Sequence, residues 1–140
     1  EENLKQQAKD LGVEAYVVFP GYMEDTRPYL NMLDVFALCS FTESLPLSLL
    51  EALCMEIPSI ASDVGDISHV LSFGTNDLLV QPGDVAQFRQ ALTHLLDDPS
   101  LREKYGRLGK QHVEANYSMD SAVRQIENHI AEVAGEVAVQ

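Results

Sequence analysis

Apolar residues along this chain fall into short blocks separated by polar turns, and the spacing inside each block indicates an element. Residues 3–11 place Leu4, Ala8 and Leu11 on one helical face, and Gly12 follows as a stop. The run "EAYVVF" at 14–19 is short, β-branched and aromatic, so a strand is expected there, broken by Pro20-Gly21. A weak helix is expected over 25–33, interrupted near its start by Pro28. "DVFALCS" at 34–40 predicts a second strand, and residues 46–55 the next helix. "PSIAS" at 58–62 predicts a third strand, "DVGD" at 63–66 a turn, and 67–71 a short helix. "DLLV" at 77–80 predicts a fourth strand ended by "QPGD", after which Asp84 caps a helix to about residue 96. Pro99 suits a first helical position, and Leu101, Tyr105, Leu108 and His112 then share a face. "NYS" at 116–118 interrupts, and Ser118 caps a last helix striped by Val123, Ile126, Ile130 and Ala134.

Short buried strands alternating with helices predict an α/β fold, a parallel sheet covered on both faces. Ligands of such sheets bind beyond the carboxyl ends of the strands. The turns at 20–25, 40–47, 62–67 and 81–84 are therefore the places to look for chemistry.

Composition narrows the function classes. The 140 residues suffice for one ordinary domain, and 46% apolar content supports a core. No apolar run reaches transmembrane length and no leader opens the chain, so the expected address is cytoplasmic, with peripheral contact at the inner membrane as the alternative. Twenty-two acids against 9 bases, a net charge of -13, argue against a nucleic-acid partner, which needs basic surface. They do not argue against a nucleotide in one small pocket. No basic residue lies between Arg27 and Arg89, so a phosphate held by that stretch must use backbone amides, a helix end, a metal or basic groups from elsewhere. Cys39 and Cys54 sit in apolar runs and are expected as buried free thiols. His69, His94, His112 and His129 show no ligand spacing, and no metal site is expected.

The stretch "ESLPLSLLEA" at 43–52 carries two glutamates that need an explanation. Pro46 as first helical residue makes Leu45 the N-cap by position, and leucine has no side-chain oxygen to cap with. The amides near Leu47 and Ser48 are then open to a diphosphate, with Ser44 as a rival, internal cap. Glu51 either sits on the solvent side beside Ser48 or accepts hydrogen bonds from ligand hydroxyls such as a ribose diol. Glu43 is either an ordinary loop residue or a carboxylate meeting a sugar or transferring group. The gap between the two, about 12 Å if all were helical, suits two groups gripping one long ligand better than a glycosidase pair flanking one bond. "PGYMED" offers Gly21, Tyr22 and Met23 as a base pocket, against a plain loop. Gly65 permits a tight turn or a close backbone approach, and Asp63 a local cap.

These residues resemble the carboxyl-terminal, donor-binding part of family 4 retaining glycosyltransferases, which have the two-domain GT-B fold. "ESLPLSLLEA" is similar to the family's signature of two glutamates separated by seven residues. "VVFPGYMED" at 17–25, "LDVFALCS" at 33–40, "PSIASDVGDI" at 58–67, "DLLVQPGD" at 77–84 and "LLDDPSLREKYGRLGKQHVEANYS" follow in the family's order. The resemblance implies an incomplete, doubly wound, Rossmann-like donor domain over 1–117 and a terminal helix and tail over 118–140. It implies transfer of a hexose from a nucleoside diphosphate sugar to an acceptor, with no other cofactor. Glu51 would hold the ribose, Glu43 the donor sugar as the catalytic carboxylate, and Ser44, Leu45 and Leu47 the sugar or diphosphate. A noncatalytic, acidic α/β interaction or regulatory module is the alternative.

Measured against that family, several parts are missing: the amino-terminal acceptor domain, a basic arginine–lysine pair, and the first two strands of the donor domain. In the strand order 3-2-1-4-5-6 those strands separate this chain's first strand from its second. The expectation is an altered pairing, a strand exchanged with another copy, or a partner that supplies the missing piece. The isolated chain is expected to have little transfer activity and weak donor affinity.

Overall fold

The computed structural model describes residues 1–73 and 78–137, with side chains in the last helix described to residue 133. Helix α1 (Glu2–Asp10) is followed by a 3₁₀ turn at Glu14–Tyr16 and a short helix α2 (Arg27–Leu30). Strand β1 (Phe36–Leu38), helix α3 (Leu47–Cys54), strand β2 (Ser59–Ser62), helix α4 (Ile67–Val70) and strand β3 (Leu79–Val80) then alternate. Helices α5 (Val85–Asp97), α6 (Pro99–Asn116) and α7 (Met119–Val137) complete the chain.

The sheet is parallel, in the order β1-β2-β3. Phe36, Ala37 and Leu38 pair with Ser59, Ile60 and Ala61, and Ala61 and Ser62 pair with Leu79 and Val80. Every residue of β2 is buried, as expected for a central strand covered on both faces. Leu49 and Leu53 of α3, Ile60, Ile67, Val70, Leu78, Val80 and Leu95 form one continuous core. Full burial of one such side chain stabilises by about 1.5–3 kcal/mol.

One expected strand is not formed. The 14–19 run holds a 3₁₀ turn and then extended backbone at Val17, and it pairs with no strand among the described residues. Tyr16 and Val18 are 87% and 83% exposed. A β-branched run is held as a strand by pairing with another strand, and none pairs with it among the described residues. Among the described residues the sheet therefore has three strands, with β1 at one edge. The fourth expected strand shortens to Leu79–Val80, and Asp77 at its start lies outside the described residues.

Helix ends follow local chemistry. Gly12, at φ +65°, lies just past α1, with the Val13 amide bonded to the Ala8 carbonyl. The same arrangement ends α3, where Ile57 N–H meets the Ala52 carbonyl at 3.0 Å and Glu56 takes the left-handed position at φ 60°. Helix α6 crosses at that point. A Cβ at Gly106 would overlap the Glu56 carbonyl oxygen, and one at Gly109 would come 2.6 Å from Leu53 Cδ2. The two glycines let α6 lie directly on α3, and Lys110 Nζ pairs with Glu56 Oε1 at 2.9 Å beside them.

Asp84 and Ser118 cap α5 and α7, accepting from the amides of Gln87 and Ser121. Asp98 caps α6, accepting from Ser100 N–H, Ser100 Oγ–H and Leu101 N–H. The Ser100 hydroxyl, and then the two amides, hold its carboxyl below the usual aspartate range. A lowered folded pKa gives stability that is complete above the unfolded value and is lost as pH falls through the folded one. Urea unfolding from about pH 5 to about pH 2 should therefore show an acid-side loss of stability that Asp98→Ala reduces. An unchanged slope in the variant would remove the cap from that account.

The α7 stripe is uncovered: Val123, Ile126 and Ile130 are 45%, 60% and 62% exposed, and Ala134 lies beyond the described side chains. No helix of the described residues is long and apolar enough to cross a membrane.

Candidate functional site

Helix α3 divides its residues between two faces. Leu49, Ala52 and Leu53 are buried in the core. Leu47, Leu50, Glu51 and Cys54 form the opposite stripe and wall a cleft of about 820 Å³. Residues 24–27 and Leu30 supply its second side, and Val113 and Tyr117 of α6 its far end. Glu51 is exposed on this wall, and its side chain has no hydrogen bond or ion pair with another described residue. Its carboxylate is open to hydroxyl donors.

The amino end of α3 also differs from expectation. Pro46 has an extended ψ of 110° and is the N-cap, so the helix begins at Leu47 and not at Pro46. The shift moves the cap from Leu45 to a residue equally without a side-chain acceptor. Ser44 is exposed and does not cap, since the helix has no side-chain cap bond. The Leu49 and Leu50 amides turn back to the Pro46 carbonyl, while those of Leu47 and Ser48 have no partner among the described residues. Two free amides and the positive end of the helix dipole favour an anion there, by roughly 0.3–1 kcal/mol when exposed.

Glu43 is half-buried in the loop before α3 and does not line the Glu51 cleft. Its Oε1 accepts from Ser40 Oγ at 2.7 Å. The loop backbone is clamped from the side: Asp66 N–H donates to the Ser44 carbonyl at 3.0 Å. Gly65, at φ +56°, packs so closely that a Cβ would overlap the Glu43 carbonyl oxygen and lie 2.9 Å from that of Ser44. The close-approach reading of Gly65 describes this contact. Asp63 makes no side-chain hydrogen bond among the described residues, so the local cap is absent.

The other sequence candidates are placed differently. Gly21, Tyr22 and Met23 do not line the cleft, and Tyr22 is 93% exposed. Their neighbours at 24–27 do. Among the described residues Arg27 is the one basic residue on the cleft wall. Its Nε and Nη2 each donate to Asp25 at 2.8 Å, so its charge is already matched. That pairing lowers the Asp25 pKa and raises that of Arg27. The cysteines are not buried: both are exposed, Cys54 on the cleft stripe and Cys39 just beyond β1. Apolar context put them in the core, but each falls on the open side of its element. Partial burial, and then the Glu114 carboxylate, still pushes the Cys54 thiol pKa up. Tyr117, missed in the sequence, closes the cleft, and burial followed by Asp66 raises its phenol. The repeat 47, 50, 51, 54 was its one legible signal, since it marks a second face on a helix that reads as apolar. No group of three or more metal-ligating side chains occurs among the described residues.

Comparison with known proteins places this geometry. Residues 1–98 match the family "Glycosyl transferases group 1". The chain is 32% identical over 120 residues to the lipopolysaccharide core biosynthesis glycosyltransferase LpsE of Rhizobium meliloti, covering 86% of this chain and 35% of that protein. It is 31% identical over 111 residues to the putative glycosyltransferase EpsD of Bacillus subtilis, covering 79% of this chain and 29% of that protein. The chain thus spans about a third of the length of these curated relatives. Among solved structures, the carboxyl-terminal domain of the group 1 glycosyl transferase LpcC from Francisella tularensis superposes with a TM-score of 0.72 at 25% identity, covering 84% of this chain and 62% of that one. Sucrose-phosphate synthase from Thermosynechococcus elongatus shares the fold with a TM-score of 0.81 at 22% identity, over 96% of this chain and 34% of that one. The parallel sheet, the helices on its faces and the matched sequence agree: this chain belongs to the Glycosyl transferases group 1 family and has the fold of a carboxyl-terminal GT-B-like domain.

Proposed function

We propose that this chain is the donor-binding half of a two-domain glycosyltransferase that moves a hexose from a nucleoside diphosphate sugar to an acceptor with retained anomeric configuration. The observation that carries this is the pairing, on one helix, of two free first-turn amides with an unpartnered carboxylate one turn on, both beside an open cleft. Leu47 and Ser48 N–H, with the backbone at Ser44 and Leu45, receive the diphosphate. Glu51 accepts from the ribose hydroxyls. Glu43 meets the donor sugar from the loop ahead of the helix. Residues 24–27 stand where the base would lie, extending the Gly21–Met23 expectation by a few positions.

Catalysis in such an arrangement comes from positioning and from neutralising the leaving diphosphate. Arg27 is engaged with Asp25, and among the described residues the rest of the wall adds only Glu24 and Glu51 as charges. The chain alone is therefore poor at neutralising the leaving group, and we place the remaining basic groups and the acceptor site on other parts of the enzyme. The uncovered stripe of α7 and the edge of β1 are where those parts would dock, whether from the same polypeptide or by strand exchange between copies. The acidic wall favours one other reading, a noncatalytic interaction or regulatory module that keeps the fold without the donor.

Cysteine footprinting separates the two. Cys54 lines the cleft and Cys39 does not. Millimolar UDP, GDP or ADP should slow alkylation of Cys54 by roughly threefold or more and leave Cys39 unchanged. Equal rates with and without all three nucleotides would favour the noncatalytic module.

A further inference from the structure

The loop that carries Glu43 contains a second functional group. Ser40 lies two residues past the end of β1, and both Ser40 and Glu43 are half-buried. The Ser40 hydroxyl donates to Glu43 Oε1 at 2.7 Å, the short distance typical of a hydroxyl on a carboxylate. Among the described residues no lysine, arginine or histidine pairs with Glu43, and Oε2 has no partner. One oxygen of the carboxylate is thus anchored and the other is left open.

The backbone on either side is fixed independently, by the Asp66 amide on the Ser44 carbonyl and by the close approach of Gly65. Those contacts set where the Glu43 Cα sits but leave its side-chain torsions free. A glutamate released from all partners spreads over several staggered rotamers. The Ser40 hydroxyl is the contact that selects among them.

From this we infer that Ser40 is a positioning residue: it holds Glu43 in one rotamer, with Oε2 open to the hydroxyls of the donor sugar. The inference rests on the donor-site reading above and gives it a specificity element, since a fixed acceptor favours a sugar whose hydroxyl meets it without reorganisation. Ser40 itself need not touch the ligand. Its effect passes through Glu43.

Two measurements on this chain test it. In the ligand-free protein, three-bond scalar couplings should show one Glu43 χ1 rotamer in wild type and in Ser40→Thr, which keeps the hydroxyl, and averaging in Ser40→Ala. Averaging already present in wild type, or none in Ser40→Ala, overturns the positioning role. In NMR titrations with UDP, UDP-glucose, GDP and GDP-mannose, the gain in affinity from adding the sugar should fall roughly three- to tenfold in Ser40→Ala and recover in Ser40→Thr. Nucleoside diphosphate affinity should stay unchanged. In a Glu43→Ala background, Ser40→Ala should have no further effect, and an equal loss with and without Glu43 would overturn the coupling. If wild type binds neither nucleotide nor nucleotide sugar, the donor-site reading fails and Ser40 loses its functional role, while the scalar couplings still report whether it orients Glu43.

Discussion

Replacing Gly65 by alanine is expected to destabilise this domain by about 2–5 kcal/mol. Two effects add. Gly65 sits at φ +56°, where an L side chain is strained, and its missing Cβ is the space occupied by the Glu43 carbonyl oxygen. The neighbour is backbone and cannot rotate aside. Either the turn after β2 or the loop before α3 must move. Separation of the two would also break the bond from Asp66 N–H to the Ser44 carbonyl, so the damage reaches the candidate site directly. The domain's whole stability is expected to be about 5–15 kcal/mol, so the change is a large fraction of it. Urea unfolding of the variant gives the number. Gly12→Ala is the control: it shares the positive φ but has open space around it, and its cost should be limited to the backbone strain. Equal losses at the two glycines would mean that the close approach contributes nothing.

Glu51→Ala is expected to leave the fold intact and to weaken nucleoside diphosphate binding by roughly 10- to 100-fold. The side chain is exposed and has no partner among the described residues, so its truncation should move the unfolding free energy by no more than about 0.5 kcal/mol. The direction of the binding change decides the mechanism. Glu51 stands on a wall already carrying Glu24 and Asp25, and a diphosphate is an anion. If Glu51 were only a nearby negative charge, removing it would improve binding. A unit charge at roughly 8 Å in water is worth about 0.5 kcal/mol, or near twofold. A fall in affinity requires specific acceptor bonds that outweigh this repulsion, as a ribose diol would supply. Glu51→Gln, which keeps one acceptor and removes the charge, should lie between. Calorimetry or NMR titration with UDP and GDP reads the affinities. Tighter binding by Glu51→Ala would rule out the ribose role.

Periodicity and capping chemistry made most of the architecture legible. The buried alternation of 34–40, 58–62 and 77–80 with helical blocks gave three parallel strands, and Gly12, Asp84, Pro99 and Ser118 marked ends of helices where they occur. Those signals are local: a cap or a stripe depends on residues within one turn. The same reasoning singled out the amino end of α3, because Leu45, the cap expected there, has no side-chain acceptor for the first amides. It placed the helix start one residue early, because proline's fixed φ suits either the cap or the first helical position.

What the chain determined alone was the order of the elements after residue 34, most of its helix ends and the two glutamates around α3, all consequences of neighbours along the backbone. The tertiary structure decided the rest. The 14–19 run has the composition of a strand but pairs with no strand among the described residues, and β propensity is realised only against another strand. Cys54 and Tyr117 became cleft residues, and Arg27 was taken up by Asp25, through the way α2, α3 and α6 come together. Glu43 and Glu51 share a motif in sequence but not a wall in space, because one precedes the helix and the other rides its outer face. Which side of an element meets solvent, core or cleft is set by packing between segments far apart in the chain, and no local pattern carries that information.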